Sequence, residues 1–322
     1  MAAHEPKTLQ EAIVYFSNFE NCQKSMIEMR WPDLKVRCPY CNAEKVTYLA
    51  AAKVWKCYGD HPKAKFSLKV GTLFEDSAIG LDKWFTALWL LVNCKNGISS
   101  YEVGRDLGIS QKSAWHVLHR LRKALQNGSF VKLAGEIEVD ETYIGGKARN
   151  MHKAQKLKRL QGKGGGVSGK VGVQGILARG GEVRVNVIQD AKHSTLQGNI
   201  DKHVETGAHL FTDEAVAYFG LQANYVHEFI NHAETYVDGN IHTNGLENFW
   251  SLLKRGLSGT YISVEPFHLF RYIDEQAFRY NNRKGMNDLD RFKLALSQVM
   301  GKRLTWNAVT GKQPDERPTN LN

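Results

Sequence analysis

GEIEVDETYIGG, residues 135–146, decides how the chain is read. Ile137 and Val139 alternate with Glu136 and Glu138, the period of a strand with an apolar face, and the run leads to Asp140. A carboxylate projecting from a strand among core-facing residues is costly to bury unless it is paired or bound to metal. AHLFTDEAVAY repeats the arrangement, because His209, Leu210, Phe211 and Thr212 form a short apolar run that closes on Asp213. In HTNGLENFWSLLKR the residues Leu246, Trp250, Leu253 and Leu257 recur at helical spacing, which puts Glu247 on a helix with Lys254 two turns further along. A strand Asp, a strand-end Asp and a helix Glu can converge on a pair of divalent cations that activate a water and stabilise the leaving oxygen of a phosphodiester.

The sequence around these three residues predicts strands over 137–144, 171–178 and 183–189, the last two joined by the hairpin signal Arg179-Gly180-Gly181. A helix over 196–204, strands over 209–212 and 225–230, the Glu247 helix and a long helix over 266–280 follow. Antiparallel strands followed by alternating helix and strand predict an α/β layered fold with a mixed sheet. Between the first two strands lies a basic segment, 147–170, with eight Lys or Arg, and no acidic residue occurs from Thr142 to Gly181. Such a segment reads as a solvated loop, and its place after the Asp140 strand also suits contact of Lys156, Lys158 and Arg159 with a phosphate backbone. Its GGGVSGK stretch is no P-loop, since Val171 stands where Ser or Thr is required and the glycines precede a strand.

The N-terminal third has a different texture. A helix is expected over 9–29, with Ala12, Phe16, Phe19 and Met26 on one face, ended by Pro32 and Asp33. Cys38 and Cys41 form a C-x-x-C knuckle, and Cys57 and His61 follow at C-x3-H spacing after short alternating strands. Four such ligands are what a structural zinc ribbon needs for one tetrahedral Zn²⁺. Cys22 and Cys94 lie on apolar helical faces and read as core residues. Residues 80–96 read as a buried helix. Ser99 and Glu102 form a capping box that opens a helix to Leu107, Gly108-Ile109-Ser110 makes a turn, and Ser110 caps a second helix whose other faces are basic. The pair has the pattern of a helix-turn-helix, in which Gln111, Lys112, His116 and Arg120 would face DNA.

Composition narrows the function classes. Lys and Arg number 43 against 33 Asp and Glu, a net charge of +10. That excess favours a polyanionic partner, nucleic acid above all. No apolar run approaches the roughly 18 residues a membrane span requires, and MAAHEPKTLQEA lacks an apolar signal core, so a cytoplasmic protein with no membrane partner is expected. Five cysteines with a single C-x-x-C fit a reducing compartment better than a disulfide framework. Domain boundaries are expected at 1–75 for the first helix and ribbon, 76–130 for the helix-turn-helix, 131–290 for the α/β core and 291–322 for a tail.

Taken together, RCPYC, KCYGDH, VGTLFEDS, EVDETYIGGK, TDEAVAY, HTNGLENFWSLLKRGLSGTY and FRYNNR resemble the DDE transposases of bacterial insertion sequences. The likeness is to the group with a zinc ribbon and helix-turn-helix ahead of an RNase H-like core, a mixed five-stranded sheet flanked by helices. Asp213 and Glu247 have 33 residues between them, close to the separation in such transposases, and Glu247-x6-Lys254 resembles their Glu-to-Lys helix signature. The resemblance implies that Asp140, Asp213 and Glu247 ligate two Mg²⁺ ions, with Mn²⁺ as an alternative, and that Lys254 touches the backbone near the scissile phosphate. Some relatives carry Asn as the third residue. Glu247 is preferred here because an anionic oxygen neutralises Mg²⁺, while Asn244 suits a weaker ligand or an N-terminal cap of the helix. His242, Arg255 and the YNNR run from Tyr280 to Arg283 are implied to pack beside this helix or to reach DNA. The implied partner is double-stranded DNA, as element terminal repeats and as target, bound by a homo-oligomer. Two other readings compete: a zinc-containing DNA-binding regulator, and a nuclease with the same core but no strand transfer.

Overall fold

The computed structural model describes residues 5–126, 131–146, 169–213, 216–230 and 242–313. They belong to two compact units, Met1–Gln126 with Asn282–Pro318, and Asn127–Asn281 with Thr319–Asn322.

The first unit begins with two helices where one was expected. α1 (Leu9–Ser17) ends at Asn18, whose extended backbone leaves the helix and whose side chain accepts from the Glu20 N–H to start α2 (Phe19–Arg30). A good N-cap in mid-run therefore outweighs continuous apolar periodicity. β1 (Val46–Leu49), β2 (Val54–Cys57) and β3 (Lys65–Phe66) make a three-stranded antiparallel sheet. α3 (Leu81–Asn93) is buried on most of its surface. α4 (Ser100–Leu107) carries the Ser99–Glu102 capping box and turns at left-handed Gly108 into α5 (Gln111–Ala124), capped by Ser110.

The expected tail is folded into this unit. α9 (Asp288–Ser297) straddles the expected boundary at 290 because Phe292 is needed inside: its ring lies 5.0 Å from that of Phe16, 5.5 Å from Phe85 and 5.6 Å from Trp89. Cys22 is fully buried, its thiol pushed up to about 12 by desolvation and then by Asp82. Cys94, by contrast, is the half-buried C-cap of α3 and no core residue.

In the second unit the sheet runs β6-β5-β4-β7-β8, from β4 (Glu136–Ile144), β5 (Val171–Ala178), β6 (Val183–Ile188), β7 (His209–Asp213) and β8 (Val226–Ile230). β4 pairs antiparallel with β5 and parallel with β7, and β8 is parallel to β7. β4 is thus central. Ile137 and Val139 face a core with Leu196 and Ile200 of α6 (His193–His203) and with Tyr218. Leu177, Val173 and Val183 face a second core with α7 (Asn244–Arg255) and α8 (Leu269–Asn281). Helices therefore cover both sheet faces. Among the described residues no helix is long and apolar enough to cross a membrane.

α7 approaches the sheet at a point where β5 has no side chain. A Cβ on Gly175 would lie 2.7 Å from both Leu246 and Trp250. Gly175→Ala should therefore force α7 outward and lower unfolding stability by about 1–3 kcal/mol, the usual range for overpacking. Denaturant unfolding of the variant checks this, and wild-type stability would show that the helix is not seated there.

Candidate active site

Asp140 lies at the middle of the sheet, level in the β4–β5 register with Gly175. Glu136, Ile137 and Glu138 pair with His209, Leu210 and Phe211, and Asp140 and Asp213 each follow two residues after the last of these pairs on the neighbouring parallel strands. Because Gly175 is bare, the Trp250 ring reaches across it, and its indole N–H donates to Asp140 Oδ2 at 2.9 Å. Asp140 Oδ1 accepts from the Glu141 N–H at 2.8 Å. Each carboxylate oxygen is thereby held. Glu247, Trp250 and Lys254 lie on one stripe of α7, at i, i+3 and i+7, so fixing Trp250 on Asp140 brings that stripe to the strand.

The helix is anchored through a residue whose role the alternation conceals. Glu138, expected simply as the polar alternate of Ile137 and Val139, is 1% exposed. Its Oε2 accepts the Leu246 N–H at 3.0 Å, one of the donors that the first turn of any helix leaves unpaired. Its Oε1 accepts from Arg179 Nε at 3.0 Å and lies 3.4 Å from His242 Nδ1. Arg179 also donates to the His242 carbonyl at 2.8 Å and stacks 4.0 Å from the Phe211 ring centroid. Gly245 leaves room for this, since a Cβ there would stand 2.7 Å from Glu138 Oε2. A central strand covered on both faces must pair any polar residue it carries, and that rule is the signal that marks Glu138.

This arrangement corrects one reading of Asn244. The N-cap is Thr243, without a side-chain bond, and Asn244 is the exposed first residue of the helix. The capping role belongs to Glu138. His242 is likewise bound into the Arg179 network. Tyr280 packs its ring 5.2 Å from Phe249 and donates to the Gly245 carbonyl, and Asn281 forms a reciprocal pair of bonds with the Val183 backbone on the sheet's edge strand. Arg255, Lys254 and Glu247 are exposed, as is Arg283, which lies in the first unit. Lys156, Lys158 and Arg159 lie outside the described residues.

The site is electrostatically loaded. The Asp140 carboxyl is pushed up to about 6, mainly by burial, with the charges of Asp213 and Glu247 adding to it and the Trp250 and Glu141 N–H groups opposing it. Glu141, on the other side of the strand, is pushed up to about 8 by burial and then by Asp213 and Asp140, and Tyr218 donates to it. The charges of Asp213 and Glu247 thus both bear on Asp140. The three carboxylates do not close up as tightly as the cysteines do: among the described residues, one group of candidate ligands has all its atoms within 4.8 Å, and it is Cys38, Cys41, Cys57 and His61.

In that group Cys41 and Cys57 stand with sulfurs 3.6 Å apart, and Cys38 Sγ is 3.3 Å from His61 Nε2. Metal–sulfur bonds of about 2.3 Å in a tetrahedron imply ligand separations of roughly 3.8 Å, so the four fit a bound metal. Asn42, with φ of 57°, supplies the tight turn after the C-x-x-C, and Gly59 lies where a Cβ would meet Cys41 Sγ at 2.7 Å.

α5 departs from its expected DNA-facing basic surface. Gln111 and Lys112 are exposed, but Arg120 is 5% exposed, bonded to the Glu75 carbonyl and stacked on Trp84, while His119, Arg122 and Lys123 are buried as well. His116 is half-buried, its ring 5.4 Å from that of Trp306. Arg120 and His116 therefore serve packing within the unit. Lys112 Nζ sits 4.8 Å from the centroid of the same Trp306 ring.

Residues 132–281, the α/β unit with the paired strand carboxylates, match the ISXO2-like transposase domain. Over those residues the chain is similar to the DDE transposases of insertion sequences. It is also 28% identical over 243 residues to an uncharacterized protein in the transposable element ISH50 of Halobacterium salinarum, covering 72% of this chain and 81% of that protein. Within this unit the half-buried Glu141 offers a test of the site's electrostatics. Its raised carboxyl binds a proton more tightly folded than unfolded, so it contributes stability at low pH that is lost as pH rises through about 8. Glu141→Gln should match wild type in thermal unfolding at pH 4, below the ordinary glutamate range, and exceed it by a growing margin as pH rises to 9. Equal melting of the two proteins at both pH values would contradict a Glu141 held protonated in the folded protein.

Proposed function

We propose that this protein is a transposase that binds the ends of its element and performs divalent-metal-dependent cleavage and strand transfer of DNA, with Asp140, Asp213 and Glu247 as metal ligands. The placing of Asp140 and Asp213 on neighbouring parallel strands, each two residues past the last β4–β7 pair, beside the fastened Glu247 helix carries this reading. The strand order, with three antiparallel strands leading into two parallel ones, supports an RNase H-like core. The raised carboxyl of Asp140, on which the charges of Asp213 and Glu247 bear, fits a dication, since a cation relieves the repulsion that burial intensifies. Two Mg²⁺ ions, or Mn²⁺, would supply Lewis-acid activation of the attacking oxygen and stabilisation of the leaving one.

The chain's own residues do the positioning. Trp250 and the Glu141 N–H fix both oxygens of Asp140, leaving its remaining lone pairs directed by the protein and not by solvent. Lys254, exposed seven residues beyond Glu247 on the same helical stripe, is placed to hold a phosphate of the bound strand. Gln111 and Lys112, exposed where α5 begins, are the contacts left to a helix-turn-helix reading of α4 and α5, with Arg255 and Arg283 as further backbone contacts. Cys38, Cys41, Cys57 and His61 hold a structural Zn²⁺, and the protein works on DNA as a homo-oligomer.

Incubation with labelled element-end duplex and Mg²⁺ tests the assignment. Asp140→Asn, Asp213→Asn and Glu247→Gln should each reduce cleavage to background while shifting the duplex as wild type does. Asn244→Ala should stay active and as stable as wild type, given that Glu138 caps the helix. Full cleavage by any of the three carboxylate variants would remove that residue from the site.

A further inference from the structure

The small N-terminal sheet has two unlike faces. Val46, Trp55, Cys57 and Phe66 point inward and are buried or half-buried. On the other face the register sets Thr47 opposite Lys56 and Lys56 opposite Lys65, and Lys45 continues the same side one residue before β1, where its carbonyl accepts the Tyr58 N–H. All four of these polar residues are exposed. Tyr58 is 49% exposed and lies between two ammonium groups, Lys45 Nζ at 5.8 Å and Lys56 Nζ at 4.9 Å from its ring centroid.

This face works against the stability of its own sheet. Like charges directly opposite on neighbouring strands are destabilising, and Lys56 and Lys65 are such a pair. β1, β2 and β3 contain no acidic residue to balance them. The nearby Asp33 and Glu44 are engaged by Arg37 instead. Among the described residues none of Lys45, Lys56 and Lys65 makes an ion pair within the chain. Three lysines gathered around an exposed ring on a rigid sheet have one evident complement, a repeating anion.

We infer that the outer face of this sheet, Lys45, Lys56 and Lys65 around Tyr58, docks on the phosphate backbone of duplex DNA. The inference extends the proposed function, because it names a surface apart from the candidate active site and from α5, and it takes the same DNA as its ligand. The lysines supply sequence-independent affinity. Tyr58 keeps two of the ammonium groups spread over its ring and so presents them as a fixed pair of charges.

The full-length protein, titrated with a short random-sequence duplex over a range of salt, tests this. Each phosphate neutralised contributes about 0.9 to the slope of log affinity against log salt. The triple variant Lys45→Gln, Lys56→Gln, Lys65→Gln should therefore bind with a slope shallower by about 2 to 3, and melt no lower than wild type because a like-charge pair is gone. The matching triple Lys→Arg variant should keep the wild-type slope. An unchanged slope in the glutamine variant, or an equal loss of binding in the arginine variant, would overturn the docking face while leaving the proposed function standing. Failure of the wild-type protein to bind duplex at all would overturn both.

Discussion

A single buried carboxylate ties the α/β unit together. Glu138 cannot be solvated where it lies in the central strand, so it must be bonded, and it is bonded to the start of the helix that carries Glu247. An unpaired N–H at a helix start and an unpaired carboxylate in a core are both costly, and each resolves the other. The helix dipole adds to the attraction, since the positive end of α7 meets the negative group. Arg179 and His242 then satisfy the second oxygen and bind the β5–β6 turn to the segment before the helix. Asp140, two residues along the same face of β4, inherits its alignment with α7 from this contact.

Packing sets how close the helix can come. Gly175 and Gly245 stand where any side chain would strike the helix or the Glu138 carboxylate, and their spacing lets Trp250 span β5 to reach Asp140. The hydrophobic core beneath, with Leu246, Phe249 and Leu253, makes the arrangement rigid. The same rigidity confines the acidic residues to a poorly solvated region, and the upward shifts of Asp140 and Glu141 are the result. Electrostatic strain at the site is thus a consequence of the fold that aligns it.

Much of this was legible in the sequence. Period-2 alternation located β4 and β5, the apolar run before Asp213 located β7, and helical spacing around Trp250 located α7. The cluster of Cys38, Cys41, Cys57 and His61 was readable because the spacing of candidate metal ligands is a local property. Long-range pairing was not readable. Glu138 and Leu246 are 108 residues apart, so nothing local marks one as the cap of the other, and Asn244 offered a plausible local substitute. The same limit hid Phe292, which makes a supposed tail part of the first core, and Arg120, whose charge suggested DNA contact but whose position on α5 faces inward. At Asn18 the local signal was present and was outweighed in the reading by continuous periodicity.

The central claim is that Glu138 fastens the Glu247 helix to the Asp140 strand. Amide and indole hydrogen exchange in wild type, Glu138→Gln and Glu138→Ala tests it most directly. The glutamine retains an acceptor for the Leu246 N–H, so its protection at that amide and at the Trp250 indole should stay near wild type, whereas the alanine variant should lose protection at both while β4 and β5 remain protected. Undiminished protection of the Leu246 amide and the Trp250 indole in Glu138→Ala would contradict the account.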